Sequence, residues 1–279
     1  MFARHLKNEL WKLFGKKRTY IGFGAFLVAQ NAMLLMFRFT HMHRRIEQLL
    51  EGNGYLAEQF ISALSVAIIM LAPQIILLMP LYAALVGGDL VAKEVEDGTL
   101  RMILARPISR FNLLLAKWLA GILFAIVLVG ALGVMAISFA RIWFPWRGMF
   151  VAWPPLVPFS VLTAGEGFKF FALSHLLLAV NASVVVAIAF MFSCFNMKPA
   201  AATILALSVL FLSFVMEQIP FFEDYREWLL TYHFHAWLFM FAKPIPWPRV
   251  AGSLVILAAF NFTAFLIGVA AFQARDIKS

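Results

Sequence analysis

Six runs of apolar residues, near Thr19–Phe37, Phe60–Val86, Trp118–Ala140, Phe170–Phe195, Ala200–Met216 and Val250–Phe272, constrain this chain more than any other feature. A helix needs roughly 20 apolar residues to cross a hydrocarbon core, and five of the runs meet or approach that length comfortably; the fifth in order is the shortest. Each run is continuously apolar, whereas a barrel strand would be a short segment of alternating character, so the spans read as helices. Hydrophobic residues make up 63% of the chain and charged residues 13%, with a mean hydropathy of +0.88; soluble domains run at roughly 45–50% and about 25%. The expected fold is an all-α integral membrane protein with about six transmembrane helices, and residues 1–279 parse as a single membrane domain.

Charge sets the expected orientation. With the N-terminus inside, the inner segments hold 14 of the 23 lysines and arginines: six before the first span, five between Lys93 and Lys117, then Lys198, Arg275 and Lys278. Counting carboxylates as well leaves nearly all of the net +9 on that side. The positive-inside rule then places both termini in the cytoplasm. Topology accounts for the basic balance without nucleic acid.

The first 18 residues fit a cleaved signal peptide poorly, because they form a long basic stretch with no clear small-residue cleavage site after Ile21–Val28. Phe2, Leu6, Leu10, Leu13 and Phe14 recur at helical spacing, with Arg4, Lys7, Lys12, Lys16 and Lys17 over much of the remaining surface. That pattern predicts an amphipathic helix lying in the membrane interface, with lysines placed to meet anionic headgroups; a disordered basic leader is the alternative. Cys194, the one cysteine, falls within a predicted span, so a disulfide or cysteine-based metal site has no second thiol.

Between the second and third spans (residues 87–117) lies a charged island: Asp89-Leu90-Val91-Ala92-Lys93-Glu94-Val95-Glu96-Asp97-Gly98-Thr99-Leu100, then Arg106-Pro107-Ile108-Ser109-Arg110, then Lys117. Gly98 permits a sharp turn, Thr99 is a candidate N-cap, and Leu100, Ile103 and Leu104 share one face of a short helix Leu100–Ala105. Pro107 ends that helix and Ser109 is placed to cap the next. The alternative is a set of ordinary turn and cap residues with solvated charges.

The ordered set Glu94-Val-Glu96-Asp97-Gly98-Thr99-Leu100, Arg106-Pro107-Ile108-Ser109-Arg110 and Lys117 closely resembles the first cytoplasmic loop of type-2 ABC transporter permeases. The basic N-terminus, the six spans and the ending Phe272-Gln-Ala-Arg275-Asp276 are similar in layout. The resemblance implies a bacterial plasma-membrane transport subunit whose short cytoplasmic helix docks on a separate ATP-hydrolysing subunit. Carried over by position, Glu94, Glu96, Gly98 and Thr99 orient this coupling helix. Leu100, Ile103 and Leu104 insert, while Pro107, Arg110 and Lys117 fix its exit. It also implies two membrane halves with two nucleotide-binding subunits, a homodimer being the default and pairing with a related permease the second choice. No Gly-x-x-x-x-Gly-Lys-Ser/Thr loop occurs in the sequence, so ATP and Mg belong to the partner chain and this chain is not expected to be an enzyme.

On the outer side, Tyr225, Trp228, Leu229, Tyr232, Ala236 and Phe239 repeat at helical spacing within 217–249. The expectation is a re-entrant or interfacial helix before the last span, with a plain aromatic-anchored loop as the alternative. The pairs His41/His43 and His233/His235 do not share a helical face and lack further ligands, so no metal site is expected. Within the spans, Pro73 and Pro80 free the carbonyls of Ile69 and Ile76 and predict a bend toward Gln74. Gln74, Asn181 and Asn261 are candidates for a substrate path or for interhelical contacts. No carboxylate sits mid-span, which argues against a proton- or sodium-driven carrier. The sequence therefore points to the permease of an ATP-driven exporter of an amphipathic cargo. A membrane-embedded enzyme or a secondary carrier working without an ATPase is the alternative.

Overall fold

The computed structural model describes residues 2–104, 109–154 and 156–275. Among them, α1 (Phe2–Phe14) precedes a first span, α2 (Lys17–Phe39), and two short helices follow, α3 (Met42–Gly52) and α4 (Ala57–Phe60). The second span joins α5 (Ala63–Pro73), a π-helical turn Gln74–Leu78 and α6 (Met79–Glu96); α7 (Thr99–Leu104) then leads to the third span, α8 (Arg110–Trp143). A hairpin of β1 (Met149–Trp153) and β2 (Val157–Leu162) precedes α9 (Ala164–Ser193) and α10 (Pro199–Gln218). Beyond α10 come a 3-10 stretch Pro220–Trp228, α11 (Leu230–Phe234), a second 3-10 stretch His235–Phe241 and the last span, α12 (Trp247–Gln273).

All six expected spans are present, and several are longer than their apolar runs. The second and third each cover 34 residues, about 50 Å of helix at 1.5 Å per residue against a hydrocarbon core of about 30 Å. Their charged ends therefore continue as helix beyond the apolar zone. Within the charged island, Asp89–Glu96 are the last turns of α6, and Asp89 is buried. Local caps extend the fourth span too, because Thr163 and Glu166 form a reciprocal capping box, with Glu166 N–H donating to Thr163 Oγ1 at 3.3 Å and Thr163 N–H to Glu166 Oε2 at 3.1 Å. The π turn falls between Pro73 and Pro80 and contains Ile76, one of the two residues whose carbonyls were expected to lose their donors.

The fourth span is the hub. In α9, 78% of the apolar window is buried inside the chain, whereas α2 and α10 bury only 22% of theirs. Lipid tails are as apolar as leucine, so helices in a bilayer associate through close packing of small residues and through polar contacts. Both devices operate around α9. A Cβ on Gly87 of α6 would stand 2.5 Å from the Val186 carbonyl oxygen, and one on Gly121 of α8 would stand 2.7 Å from a Val186 methyl, so two glycines let two helices close on one valine.

Three features differ from expectation. The apolar stripe of α1 is covered by protein: Leu13 is buried, Leu6, Leu10 and Phe14 pack on the core, and the Phe14 ring lies 5.9 Å from that of Phe124 on α8. Trp11, on the other face, is 70% exposed. The outer segment 217–249 is not one helix. Leu229 is extended (φ −83°, ψ 134°) and breaks it into short 3-10 and α pieces. Its second half nevertheless enters the bundle, with Trp237, Leu238 and Phe241 buried and the Phe234 carbonyl accepting from Asn181 Nδ2 at 2.8 Å, more than halfway along α9. The β-hairpin is the third. It pairs Met149 with Leu162 and Trp153 with Val157, and Phe150 N–H donates to Ser65 Oγ at the start of the second span, 2.9 Å away.

Candidate functional site: a charged clasp beside the short helix

Both termini and the α6–α8 connection lie at one end of the bundle, as an even number of crossings requires. At that end α6 stops at Gly98, whose φ of +69° is the left-handed conformation glycine adopts without cost. Asp97 N–H donates to the Lys93 carbonyl (2.9 Å) and Gly98 N–H to that of Val95 (3.1 Å), closing the last turn. Thr99 is the first residue of α7, not its cap; its hydroxyl donates back to the Glu94 carbonyl at 3.3 Å. Leu100 is buried against the bundle, Ile103 is partly buried and Met102 is 67% exposed. Of the inserting set, then, Leu100 is committed internally and Met102, not singled out from sequence, faces outward. The Leu104 side chain and Pro107, with the rest of 105–108, lie outside the described residues. Ser109 caps α8 as expected, accepting from Asn112 N–H at 3.2 Å.

Four side chains form a closed ring of alternating charge at the root of α7. Lys117 Nζ sits 2.8 Å from Glu9 Oε2 and 2.8 Å from Glu94 Oε2, while Lys12 Nζ sits 2.6 Å from Glu9 Oε1 and 2.9 Å from Glu94 Oε1. Each carboxylate bridges both ammonium groups. Lys117 is 1% exposed, and it and Glu94 form internal ties among α1, α6 and α8. Burial works against the charge on Glu9, but Lys117 and Lys12 outweigh it and hold the carboxyl below its usual range. Lys12 is likewise raised despite burial, by Glu9 and Glu94. Glu9 and Lys12 were missed from sequence as site residues. The available signal was that Glu9 is the sole acidic residue before Glu47.

Two arginines extend the ties. Arg110 Nη1 lies 3.3 Å from the carbonyls of Gln273 and Arg275, at the end of α12. Arg275 donates in turn to the Cys194 carbonyl (3.1 Å) and Asn196 Oδ1 (2.9 Å), in the turn between the fourth and fifth spans. Glu96 is exposed and pairs with Lys93 at 2.7 Å. Arg18, at the start of α2, holds Asp89 at 2.9 Å. A cleft of about 480 Å³ opens between α1 and α7, walled by Asn8, Lys12, Lys93, Met102 and Ile103.

The three candidate path residues are not gathered into one lining. Gln74 Nε2 donates to the Met70 carbonyl of its own helix at 2.9 Å, and Asn181 ties α9 to the outer segment. Asn261 accepts from Trp118 Nε1 (3.1 Å) and donates to Ser183 Oγ (2.9 Å), joining α12, α8 and α9. All three are buried, and they act as interhelical or intrahelical ties. The outer histidines take separate partners: His233 contacts Ser253 Oγ and the Glu227 carbonyl, His235 contacts Glu217, and His43 contacts Glu47. His175 packs within the fourth span, with Nδ1 2.7 Å from the Phe171 carbonyl. Among the described residues no group of three metal-ligating side chains forms.

The arrangement is a short helix on a glycine turn, rooted in an ion ring whose inner cation is buried and tied by arginines to the ends of the fourth and last spans. No curated protein matches the chain. The family profile described as ABC-2 family transporter protein matches residues 11–227, which take in the first five spans, α7, and Lys12, Glu94 and Lys117 of the ring. A six-span membrane chain with that match over most of its length belongs to the ABC-2 family of transporter permeases.

Proposed function

We propose that this chain is the membrane-spanning half of an ATP-driven exporter, and that α7 passes the motion of a separate nucleotide-hydrolysing subunit into the spans. One observation carries the reading: α7 presents Met102, two-thirds exposed, from a helix anchored at its root by buried ions. A large thioether left bare at a polar end suits a partner groove, since methionine adapts to varied apolar surfaces. ATP and Mg are bound by that partner. The end bearing the termini faces the cytoplasm of a bacterial inner membrane, in keeping with its excess of lysine and arginine. A second copy packs against this one: α2 and α10 leave most of their apolar windows uncovered within the chain, and a homodimer would cover part of them. An amphipathic cargo such as a lipid, drug or peptide matches the apolar, aromatic character of the spans.

Met102 provides a cleaner test than Glu94, whose replacement would disturb the ring. Met102→Asp should reduce co-purification of the ATPase subunit by about tenfold, equivalent to roughly 1.4 kcal/mol, with the permease still folded. Undiminished assembly would overturn docking through α7.

A further inference from the structure

We infer that Glu9 is a positioning residue for coupling: through Lys117 and Lys12 it locks the N-terminal helix to the root of α7, so that the two move as one body. The inference deepens the proposed function and rests on it, because a push on α7 matters only if a partner delivers one. Glu9 itself lies outside the stretch the family profile matches.

The geometry is what assigns the role. A surface ion pair contributes little and is easily exchanged for water, but here the inner cation, Lys117, is 1% exposed and Glu9 is 6% exposed. Their contact, at 2.8 Å, spans 108 positions in the chain. Glu9 and Glu94 each meet both lysines, so lifting α1 away would strand the buried Lys117 with one carboxylate and leave Glu9 with only Lys12 of its own helix. Buried charges resist separation more strongly than their net contribution to stability suggests, because removing one partner leaves the other uncompensated. The apolar face of α1 is meanwhile seated on α8, with Leu13 buried and Phe14 against Phe124. Thus α1 reads two neighbours at once: the ion ring fixes it to α6 and α8 beside α7, and its stripe fixes it along α8. A displacement of α7 reaches α1 through Glu94 and Lys12, whose Nζ–Oε1 contact is 2.9 Å, and reaches α8 through Lys117.

The test uses two reporters in lipid nanodiscs. First, Leu13→Cys is placed in the permease alone; the native thiol, Cys194, is fully buried, so it stays silent toward maleimide. Leu13→Cys should label slowly in the otherwise native chain, and at least ~tenfold faster when Glu9→Gln or Lys117→Met opens the clasp. Because Lys117→Met leaves two carboxylates sharing one lysine, the double variant Glu9→Gln/Lys117→Met, balanced in charge, serves where the single one does not fold. Unchanged labelling in all of them overturns the lock. Second, a spin label at Asn8→Cys is followed in the complex assembled with the ATPase subunit, on addition of ATP and vanadate. Its mobility should respond in the native background, respond less with Glu9→Gln, which leaves only the Lys12–Glu94 tie, and fall silent with Glu9→Gln/Lys12→Gln, while a label at Thr99→Cys on α7 continues to respond. A purely structural Glu9 would leave the Asn8 response intact, which also overturns the proposal. If neither label responds in the native background, and Met102→Asp leaves assembly untouched, docking through α7 has failed; the labelling of Leu13→Cys still decides the lock.

Discussion

At the scale of single residues, the ion ring governs how the inner end answers to pH. Glu9 has a native value below the ordinary 4.5, so its stabilising contribution is complete above 4.5 and disappears as pH falls through the lower native value. Lys12 is raised above the ordinary 10.5, so its contribution is complete below 10.5 and is lost as pH climbs through the higher native value. Between those limits the contributions of Glu9 and Lys12 do not change with pH. The melting temperature of Glu9→Gln in nanodiscs should therefore sit below that of the native chain by a constant gap near neutrality, and the gap should close under acid conditions. A gap that persists undiminished at pH 3 would falsify the ionic account. Lys117→Met, leaving the buried Glu9 and the half-buried Glu94 to share one lysine, should cost more, about 3–5 kcal/mol. The sequence showed Lys117 and Glu94 as conspicuous charges beside a span, and its resemblance to a permease loop drew attention to them. Their partner was harder to see. Glu9 stands 108 positions from Lys117, and although its phase, three residues after Leu6 and four before Leu13, sets it beside the apolar stripe of α1, that phase names no partner.

At the scale of elements, what could be read follows the dominant force in each segment. Long apolar runs have one solution in a bilayer, so all six spans were legible, and so was the stop at Gly98 and the cap at Ser109, whose signals are local. Charged segments adjoining a span carry no such instruction. Asp89–Glu96 could equally be loop or helix from its composition, and it became helix because α6 continues past the apolar zone with Asp89 paired to Arg18 and Glu94 to Lys117. The stripe on α1 was legible as a stripe, yet an apolar face says nothing of whether lipid or protein covers it. The outer hairpin depends on a nonlocal tie to Ser65 that no periodicity reveals. Gly98 allows a direct check of the element logic. At φ +69° an added Cβ meets nothing within 4 Å, so the penalty for Gly98→Ala is backbone strain alone, about 1–2 kcal/mol. Gly98→Asn, which tolerates that conformation better, should lose less. Thermal unfolding of the two variants should therefore rank Asn above Ala; equal losses would mean that the turn relaxes to another conformation and does not hold α7 in place.

For the whole molecule, the decisive fact is that the bilayer removes the usual reward for burying apolar surface, leaving close approach and polar ties to hold the spans together. The structure concentrates both on α9: Gly87 and Gly121 close on Val186, and Asn261 links α12 to Trp118 of α8 and Ser183 of α9. Sequence could list the asparagines and glycines but not rank them, because a glycine on the lipid face and one at a helix crossing look alike until the crossing is known. Gly24 on α2 and Gly87 on α6 make that contrast testable. Nothing lies within 4 Å of a Cβ built on Gly24, whereas one on Gly87 would meet the Val186 carbonyl at 2.5 Å and the Ala189 methyl at 2.8 Å. Backbone atoms of a central helix cannot yield as a side-chain tip can, so Gly87→Ala must push α6 and α9 apart, at a cost of about 1–3 kcal/mol. Gly24→Ala should be neutral or stabilise by up to about 1 kcal/mol, the helix-propensity difference. The separation would also reach the inner end, since α6 carries Glu94 and α7. Gly87→Ala is thus expected to lower the melting temperature and to quicken maleimide labelling of Leu13→Cys, while Gly24→Ala does neither. Equal behaviour of the two glycine variants would show that α9 is not the element on which the bundle is assembled.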